Sequence, residues 1–409
     1  MDSLPLDDST NRRRWLRQYR NELGLVVAIL VVIGTTMCFD GSYLSKPTYN
    51  AQEIARQSAL LGIFALGAGI VIISGGIDLS SGSVITFSGS ICALTLLLLS
   101  PTDERGTPDT SQLGVSAFAI AITASLIAGF LIGSLHAWLI TCVGLPAFVA
   151  TLASLVGLRS LAKVLNQEVT RRYFDSESAK INLNNQAFGQ LGQLWWPPLL
   201  IFLTLGILAW LLMSKTITGR HLHAMGGNEQ AARLSGIRTD RLKWLAYVLG
   251  AVTASIAGIF YTAEVGSADP QTQARGYELN AIAAAVVGGC SLQGGVGQIP
   301  GIMLGVLFLR VVIDAVAKVV GSGSDDYEGL IVGFLVVLAV AFNELRRTSS
   351  SHRKQFFPGT LGSIALFILA LFAGLVGTLT VGNAAGWIAF VTVMLALAMV
   401  KTLETRALK

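Results

Sequence analysis

A glycine-rich motif that occurs twice is the feature of the sequence with the clearest chemical meaning. Residues 75–82 read GGIDLSSG and residues 288–295 read GGCSLQGG, so both fit G-G-x-x-L-x-x-G. Each copy follows an apolar stretch, which indicates a broken helix at two corresponding places. Irregular backbone at membrane depth is tolerated only beside protein or water, and it marks the pathway of many transporters. Close helix packing is the alternative role for glycine, but the pair of motifs favours pathway positions at Gly75, Gly76, Asp78, Ser80, Gly82, Gly288, Gly289 and Ser291.

Two aspartates within these apolar regions are candidates for chemistry. Asp78 lies in the first motif, and Ser291 holds the matching place in the second. A carboxylate at membrane depth is costly unless it is solvated, paired or used to cap a helix. Asp78 can therefore cap the next helix or contact a substrate. Asp314 has Arg310 and Lys318 four residues away on either side, so it can pair with either base, and both ion pairing and pathway lining stay open.

A basic segment at 214–243 contains a second kind of candidate site. A short helix is predicted from Asn228 to Leu234, capped by Asn228 and ended by Gly236. A short exposed helix of small residues suits docking in a groove of another protein. A solvated connector that supplies positive charge is the alternative. The candidate docking residues are Gly226, Gly227, Asn228, Glu229, Ala231, Ala232, Arg233, Ser235 and Gly236.

The composition decides which environment must position these residues. The chain has 409 residues, of which 53% are hydrophobic and 13% charged, with a mean hydropathy of +0.64. A soluble domain carries about 25% charged residues, so a soluble enzyme, a disordered chain and a disulfide-stapled domain are poor fits. The four cysteines form no C-x-x-C pair, and we expect neither a metal nor a cofactor. We predict an all-α polytopic membrane protein.

Twelve apolar segments mark the predicted crossings of the bilayer, since a spanning helix needs about 20 mostly apolar residues. The segment 279–290 is short, and we interpret it as a crossing or near-crossing. About ten helices would form the core, and two more would follow at the C-terminal end. The segments are 23–39, 54–74, 83–100, 114–142, 145–165, 197–213, 244–263, 279–290, 300–320, 328–343, 361–379 and 386–400.

The distribution of positive charge predicts the orientation. With the amino terminus inside, 18 of the 29 Lys and Arg residues fall in cytoplasmic stretches and 6 in external ones. This asymmetry follows the positive-inside rule. Both termini are then cytoplasmic, and 214–243 is a cytoplasmic loop. The net charge of +5 therefore reports orientation, and we expect no nucleic-acid partner.

Four ordered stretches resemble the permease subunits of monosaccharide ABC importers of the ribose, xylose and galactose type. The likeness runs from about residue 20 to about residue 347 of this sequence, and 214–243 corresponds to the coupling loop of that family. The matching stretches are 75–83, 146–152 with Arg159 downstream, 219–237, and 276–284 with 288–295.

The resemblance implies three regions of the chain and a function. Residues 1–22 would be a cytoplasmic segment, 23–347 the permease domain and 348–409 an extension with two additional helices. The chain would carry a pentose or related sugar, delivered by an extracytoplasmic sugar-binding protein, through the bacterial plasma (inner) membrane. Two copies would form a homodimer in the lipid, and separate ABC ATPase subunits would dock on the loop 214–243.

The chain is not expected to be an enzyme itself. It lacks the phosphate-binding pattern G-x-x-x-x-G-K-[ST], so ATP hydrolysis is assigned to a separate subunit. An ion-coupled secondary sugar transporter that uses Asp78 and Asp314 is the alternative.

Some positions depart from the family pattern. Ser81 replaces the usual valine, and 313–315 reads IDA where the family tends to show paired Asn or Asp followed by Gly.

Overall fold

The structure is a computed structural model, and it describes residues 20–39, 45–102, 106–320, 329–330, 332–333, 337, 359–380 and 382–407. The chain divides into two compact units, residues 1–340 and residues 341–409. The predicted boundary between 347 and 348 lies outside the described residues, so the predicted domain division stays a prediction.

Helices dominate the described residues of both units. The first unit also contains a 3-10 helix at Thr110–Gln112 and one pair of two-residue strands, β1 at Ile181–Asn182 and β2 at Ser267–Ala268. The helices of the first unit are α1 Arg20–Phe39, α2 Pro47–Ile73, α3 Ser81–Leu99, α4 Val115–Thr141, α5 Ala147–Phe174, α6 Gln186–Gln193, α7 Trp196–Lys215, α8 Ile217–Gly227, α9 Glu229–Leu234, α10 Thr239–Val265, α11 Tyr277–Val287 and α12 Ile299–Val320. Those of the second unit are α13 Gly359–Thr380 and α14 Asn383–Ala407.

The predicted all-α polytopic architecture is confirmed. Among the described residues, nine helices are long and apolar enough to cross a membrane, namely α1–α5, α7, α10, α12 and α14. Eleven of the twelve predicted segments coincide with described helices. Most of the predicted segment 328–343 lies outside the described residues.

Helix α2 begins earlier than its apolar run predicts, and its polar residues explain why. It starts with Pro47 in its first turn, where proline needs no hydrogen-bond partner. Arg56 is paired with Glu53 at 2.6 Å and with Glu264 of α10. Because this charge is neutralised, the helix can carry it at the end of a bundle without exposing it to lipid.

Helix α10 is the centre of the first unit, and small residues let it approach its neighbours. It packs against α2, α3, α4 and α6. A Cβ added at Gly133 of α4 would lie 2.6 Å from the Cα of Val248, and one added at Gly67 of α2 would lie 2.9 Å from the Cα of Gly250. Any side chain at these two glycines would therefore separate the helices, which is the usual role of small residues in membrane bundles.

The predicted short crossing at 279–290 is a half-length helix preceded by irregular chain. Helix α10 has 27 residues and is about 40 Å long, whereas α11 has 11 residues and is about 17 Å long. The hydrocarbon core is about 30 Å thick. Helix α11 alone is therefore too short to span the membrane, and of the two interpretations of 279–290 the near-crossing is the one that fits. After α10, strand β2 pairs antiparallel with β1, and residues 269–276 lead into α11.

The irregular chain before α11 is held by side chains of α3 and α5. The guanidinium of Arg159 donates to the carbonyl oxygens of Pro270 and Gln273, both at 2.9 Å, and of Ala274 at 3.2 Å. The hydroxyl of Thr86 also donates to the Gln273 carbonyl at 2.9 Å. Arg159 satisfies carbonyls more than 100 residues later in the chain, and it replaces the backbone hydrogen bonds that a longer α11 would have made.

The second unit is a helical hairpin. Helices α13 and α14 pack against each other, and a Cβ added at Gly374 would lie 2.9 Å from the Cβ of Phe390. Gly382, with φ of 120°, lies in the predicted turn between the two helices.

Candidate transport and coupling site

The first glycine break consists of residues 74–80, between α2 and α3. Gly75 has a left-handed φ of 85°, and the N–H of Gly76 donates to the carbonyl of Val71 at 2.9 Å. The carboxylate Oδ1 of Asp78 accepts the N–H of Ser80 at 2.8 Å and its hydroxyl at 2.6 Å. Asp78 is buried and thus fixes the turn that enters α3, by holding the residue at the N-cap position rather than a helical N–H.

Several polar side chains come together beside the first break, and the sequence did not reveal that they meet. The ring of His136 on α4 is fully buried, and its Nε2 lies 2.7 Å from the hydroxyl of Ser154 on α5. Its ring centroid is 6.3 Å from that of Tyr247, whose hydroxyl donates to the carbonyl of Ile77 at 3.4 Å. These residues come from distant parts of the chain, so no local spacing could have shown that they meet.

The second glycine break consists of residues 288–298, between α11 and α12. It is closed by backbone hydrogen bonds: the Ser291 N–H donates to the Val296 carbonyl, and the Gly294 N–H donates to the Ser291 carbonyl, both at 2.9 Å. The Ser291 hydroxyl also accepts the N–H of Gln293 at 3.3 Å. Gly289 and Gly294 have φ of 95° and 86°, in the region that favours glycine.

The two breaks meet at one place in the fold. The Gly295 N–H of the second break donates to the carbonyl of Ile73, the last residue of α2, at 2.9 Å. A Cβ added at Gly294 would lie 2.7 Å from the Cα of Gly75 in the first break. Backbone therefore packs directly on backbone, which requires glycine at both positions.

Helix α8 of the segment 214–243 completes this contact. A Cβ added at Gly75 would lie 3.2 Å from the Cα of Gly226, and one added at Gly295 would lie 2.7 Å from the Cα of Gly227. His223 Nδ1 lies 3.2 Å from the Gly295 carbonyl oxygen. Gly226 is buried in this contact and Gly227 is exposed. The sequence predicted docking roles for both glycines but not their contact with the breaks.

The predicted short helix is confirmed as α9. Asn228 caps it, since its Oδ1 accepts the Ala231 N–H at 3.0 Å, and Gly236 follows it with φ of 82°. Ala232 is buried, whereas the side chain of Leu234 is 90% exposed.

Ion pairs tie α9 to the first turns of α10. Glu229 pairs with Lys243 at 2.6 Å, and Arg233 pairs with Asp240 at 3.1 Å. Surface pairs of this kind contribute little stability, about 0–1 kcal/mol each. They orient α9 relative to α10.

Asp314 does not join the other predicted pathway residues. It pairs with Lys318 at 2.9 Å, and Lys318 also donates to Asn50 of α2 at 3.1 Å. Arg310 donates to Gln57 of α2 at 2.9 Å. Arg310, Asp314 and Lys318 thus join α12 to α2, which favours ion pairing over pathway lining. Asp314 lies 15 residues beyond the start of α12, about 22 Å along the helix from the second break.

The remaining predicted pathway residues surround the breaks. Gly82, at the start of α3, faces the irregular chain before α11, because a Cβ there would lie 2.7 Å from the Ala274 carbonyl oxygen. Gly288 packs backbone-to-backbone against Gly301 of α12. Among the described residues, no group of three or more His, Cys, Asp or Glu side chains is placed to hold a metal ion.

Comparison with known proteins identifies the family of the chain. Residues 50–340 match the family described as branched-chain amino acid transport system / permease component. The chain is 32% identical over 334 residues to the ribose import permease protein RbsC of Escherichia coli strain K12, covering 80% of this chain and 95% of that protein. It is 33% identical over 301 residues to the autoinducer 2 import system permease protein LsrC of Yersinia pestis strain Pestoides F, covering 73% and 78%. No solved structure matches the chain.

The fold and the site define a multi-pass inner-membrane transport protein in which two glycine breaks meet the segment 214–243. The chain belongs to the permease family that residues 50–340 match. The predicted resemblance to permease subunits of ABC importers is confirmed, and the import permeases among its relatives favour this assignment over an ion-coupled transporter.

Proposed function

We propose that the protein is the membrane-spanning subunit of an ATP-driven importer that carries a pentose or related monosaccharide. The observation that supports it most is the backbone contact between Gly226 of α8, the first break at Gly75 and the second break at Gly294 and Gly295. Ribose in the name of one relative and autoinducer 2 in that of another favour small polar cargo of this class.

The proposed coupling runs from α9 through α8 to the breaks. A docked ATPase would push on α9, which is joined to α8 at Asn228. Gly226 would transmit the displacement to Ile73 and Gly295, which its backbone touches. Close-packed interiors pass on strain because they contain little free volume. With no side chain between these backbones, little of the motion would be absorbed.

In this proposal the pathway residues act mainly through backbone and shape. Asp78 and Ser80 hold the first break, and Ser291 turns the second. The glycines at 75, 76, 82 and 288 allow the close approaches and Gly289 allows a left-handed turn, so small movements of the breaks open or close the inner end of the pathway.

The exposed surfaces support the proposed partners. The exposed side of α9, with Leu234 at its end, would receive a separate ATPase subunit that hydrolyses ATP. Ser160 and Lys163 are exposed on α5, and exposed polar groups on a spanning helix are costly in lipid. Cover of that face is therefore expected. A second copy would supply it in the proposed homodimer, either directly or by enclosing an aqueous pathway.

The proposed orientation rests on the positive charge of the segment 214–243, and the length of α10 then places the opposite end of the bundle. If α9 is cytoplasmic, the 27 residues of α10 place the β1–β2 pair about 40 Å away, on the external side. An extracytoplasmic sugar-binding protein would dock there, and both termini would be cytoplasmic.

Docking can be tested with a matched pair of exposed apolar residues. Leu234 and Val115 are 90% and 80% exposed, at opposite ends of the bundle. We expect Leu234→Glu to lower the ATPase that co-purifies in detergent at least about tenfold, an effect of about 1.4 kcal/mol. Val115→Glu should leave it unchanged. Equal recovery with both variants would contradict docking on α9.

Energy coupling is tested by uptake in cells that contain the permease, its ATPase and its binding protein. We expect uptake of D-ribose, D-xylose or D-galactose to stop when ATP is depleted. Uptake that persists without ATP under an imposed ion gradient would instead establish the ion-coupled transporter.

A further inference from the structure

A polar cavity lies at the end of the first unit opposite α9. Its volume is about 280 Å³, near the lower end of the roughly 300–1,000 Å³ of small-molecule sites. Its walls come from Lys180, the last turns of α10 and the chain between α10 and α11, which lie at the external end in the proposed orientation. The side chains that matter are Lys180, Tyr261, Thr272, Gln273, Arg275 and Tyr277.

The cavity offers donors around aromatic rings, and an oxygen without a hydrogen-bond partner is buried in its wall. Lys180 and Arg275 are exposed and have no ion-pair partner within the described ranges. Gln273 Oε1 is buried without a hydrogen-bond partner, although its Nε2 donates to Thr262 at 3.3 Å. A buried oxygen that accepts no hydrogen bond is unfavourable unless a ligand or water satisfies it.

Two tyrosines form the apolar part of the wall. The ring centroids of Tyr261 and Tyr277 are 5.1 Å apart, and Tyr277 also stacks on the buried Phe64 of α2 at 6.1 Å. Their positions are therefore fixed by packing. Such rings present an apolar face together with a polar hydroxyl.

This combination fits a monosaccharide better than an anion. Sugar hydroxyls both donate and accept, so one sugar can accept from the two cations and donate to the Gln273 oxygen once that side chain turns toward the cavity, while its C–H faces pack on tyrosine. An anion would use Lys180 and Arg275 but could not donate to Gln273 Oε1.

The wall that carries Gln273 is preorganised. Arg159 holds the carbonyls of Pro270, Gln273 and Ala274, and Asp269 accepts the Thr272 hydroxyl at 2.9 Å. A fixed wall lowers the entropy lost on binding. We infer that this cavity is an external acceptance site, where the monosaccharide released by the binding protein first contacts the permease; this inference rests on the proposed function.

Cysteine protection tests the site directly. Val265 lines the cavity and is 63% exposed, and Val115 is 80% exposed outside it, so Val265→Cys and Val115→Cys form a matched pair. Both are made in a Cys38→Ser, Cys142→Ser background, because Cys92 and Cys290 are buried. Spheroplasts washed free of binding protein are treated with a membrane-impermeant methanethiosulfonate, with D-ribose, D-xylose or D-galactose at about 50 mM, above the millimolar Kd of a weak site.

The expected result is slower labelling of Val265→Cys in the presence of the sugar that the cells take up, with no effect on Val115→Cys. Adding Gln273→Leu should raise the half-protecting concentration about tenfold, whereas Gln273→Glu, which keeps an acceptor oxygen, should retain protection.

Other outcomes overturn the inference in distinguishable ways. If a transported sugar gives no protection, or if inorganic phosphate protects and sugars do not, the acceptance site is wrong and the importer stands. If none of the three sugars is taken up, the proposed sugar function fails and the acceptance site fails with it.

Discussion

The two glycine breaks share a sequence pattern but are held by different means. The first, 74–80, follows the 27-residue helix α2 and is fixed by a side chain, the buried carboxylate of Asp78 on Ser80. The second, 288–298, follows the 11-residue helix α11 and is closed by backbone hydrogen bonds and left-handed glycines. Both reach the same helix, α8.

This difference predicts that the two breaks respond differently to a displacement of α8. A charge-assisted hydrogen bond in a buried turn holds one geometry firmly. A glycine turn has more accessible conformations than a turn held by a side chain. The chain before α11 is held in place by hydrogen bonds from Arg159. We therefore expect the second break to move more than the first when α8 is displaced.

The largest expected effect comes from adding a methyl group where the breaks touch. Gly294→Ala would place a Cβ 2.6 Å from the Gly226 carbonyl oxygen at a φ of 86°. A left-handed alanine costs about 1–2 kcal/mol and overpacking about 1–3 kcal/mol, so we expect a loss of about 2–5 kcal/mol in stability.

Gly144→Ala is the control for that variant. Gly144 has a φ of 80° but open space around its Cβ position, so only the loss of about 1–2 kcal/mol from backbone strain is expected. Thermal unfolding in detergent compares them. Equal losses of Tm would show that Gly294 makes no essential contact with Gly226.

A smaller effect is expected from removing the polar side chain of each break. Asp78→Ala removes charge-assisted hydrogen bonds and should cost about 2 kcal/mol, whereas Ser291→Ala removes one long contact and should stay within about 0.5 kcal/mol. Thermal unfolding and sugar uptake are measured together. Asp78→Asn keeps an acceptor and should restore most of both. If it restores stability but not uptake, Asp78 contacts the sugar and the positioning role is wrong.

An effect smaller than that of Asp78→Ala concerns the support of α11. Lysine lacks the planar guanidinium with which Arg159 reaches three carbonyls. We therefore expect Arg159→Lys to lower local stability by about 1–2 kcal/mol. Hydrogen exchange of the amides at 277–280 should become about tenfold faster, which corresponds to 1.4 kcal/mol. Lys163→Met, at an exposed position on the same helix, is the control. Equal exchange in both variants would mean that Arg159 does not hold this chain.

The sequence predicted the helices better than it predicted their contacts. Hydropathy located α2, α3, α10 and α12, and the N-cap of α9 at Asn228 followed from residue type. These are local properties of the chain.

The meeting of Gly75, Gly226 and Gly294 could not be predicted, because glycine gives no pattern that distinguishes ordinary helix packing from a three-way backbone contact. The irregular chain before α11 was also missed. Its carbonyls are satisfied by Arg159, more than 100 residues earlier, and no local periodicity reports such a partner.

The most direct test of the coupling contact compares two adjacent glycines of α8. A Cβ at Gly226 would meet the Ile73 carbonyl and lie 2.6 Å from the Gly295 N, whereas a Cβ at Gly227 would meet nothing within 4 Å. ATP-dependent sugar uptake is measured for Gly226→Ala and Gly227→Ala at equal amounts of docked ATPase. We predict that Gly226→Ala lowers uptake at least about tenfold, an effect of about 1.4 kcal/mol, and that Gly227→Ala transports normally. Equal uptake by the two variants would contradict the claim that α8 drives the glycine breaks.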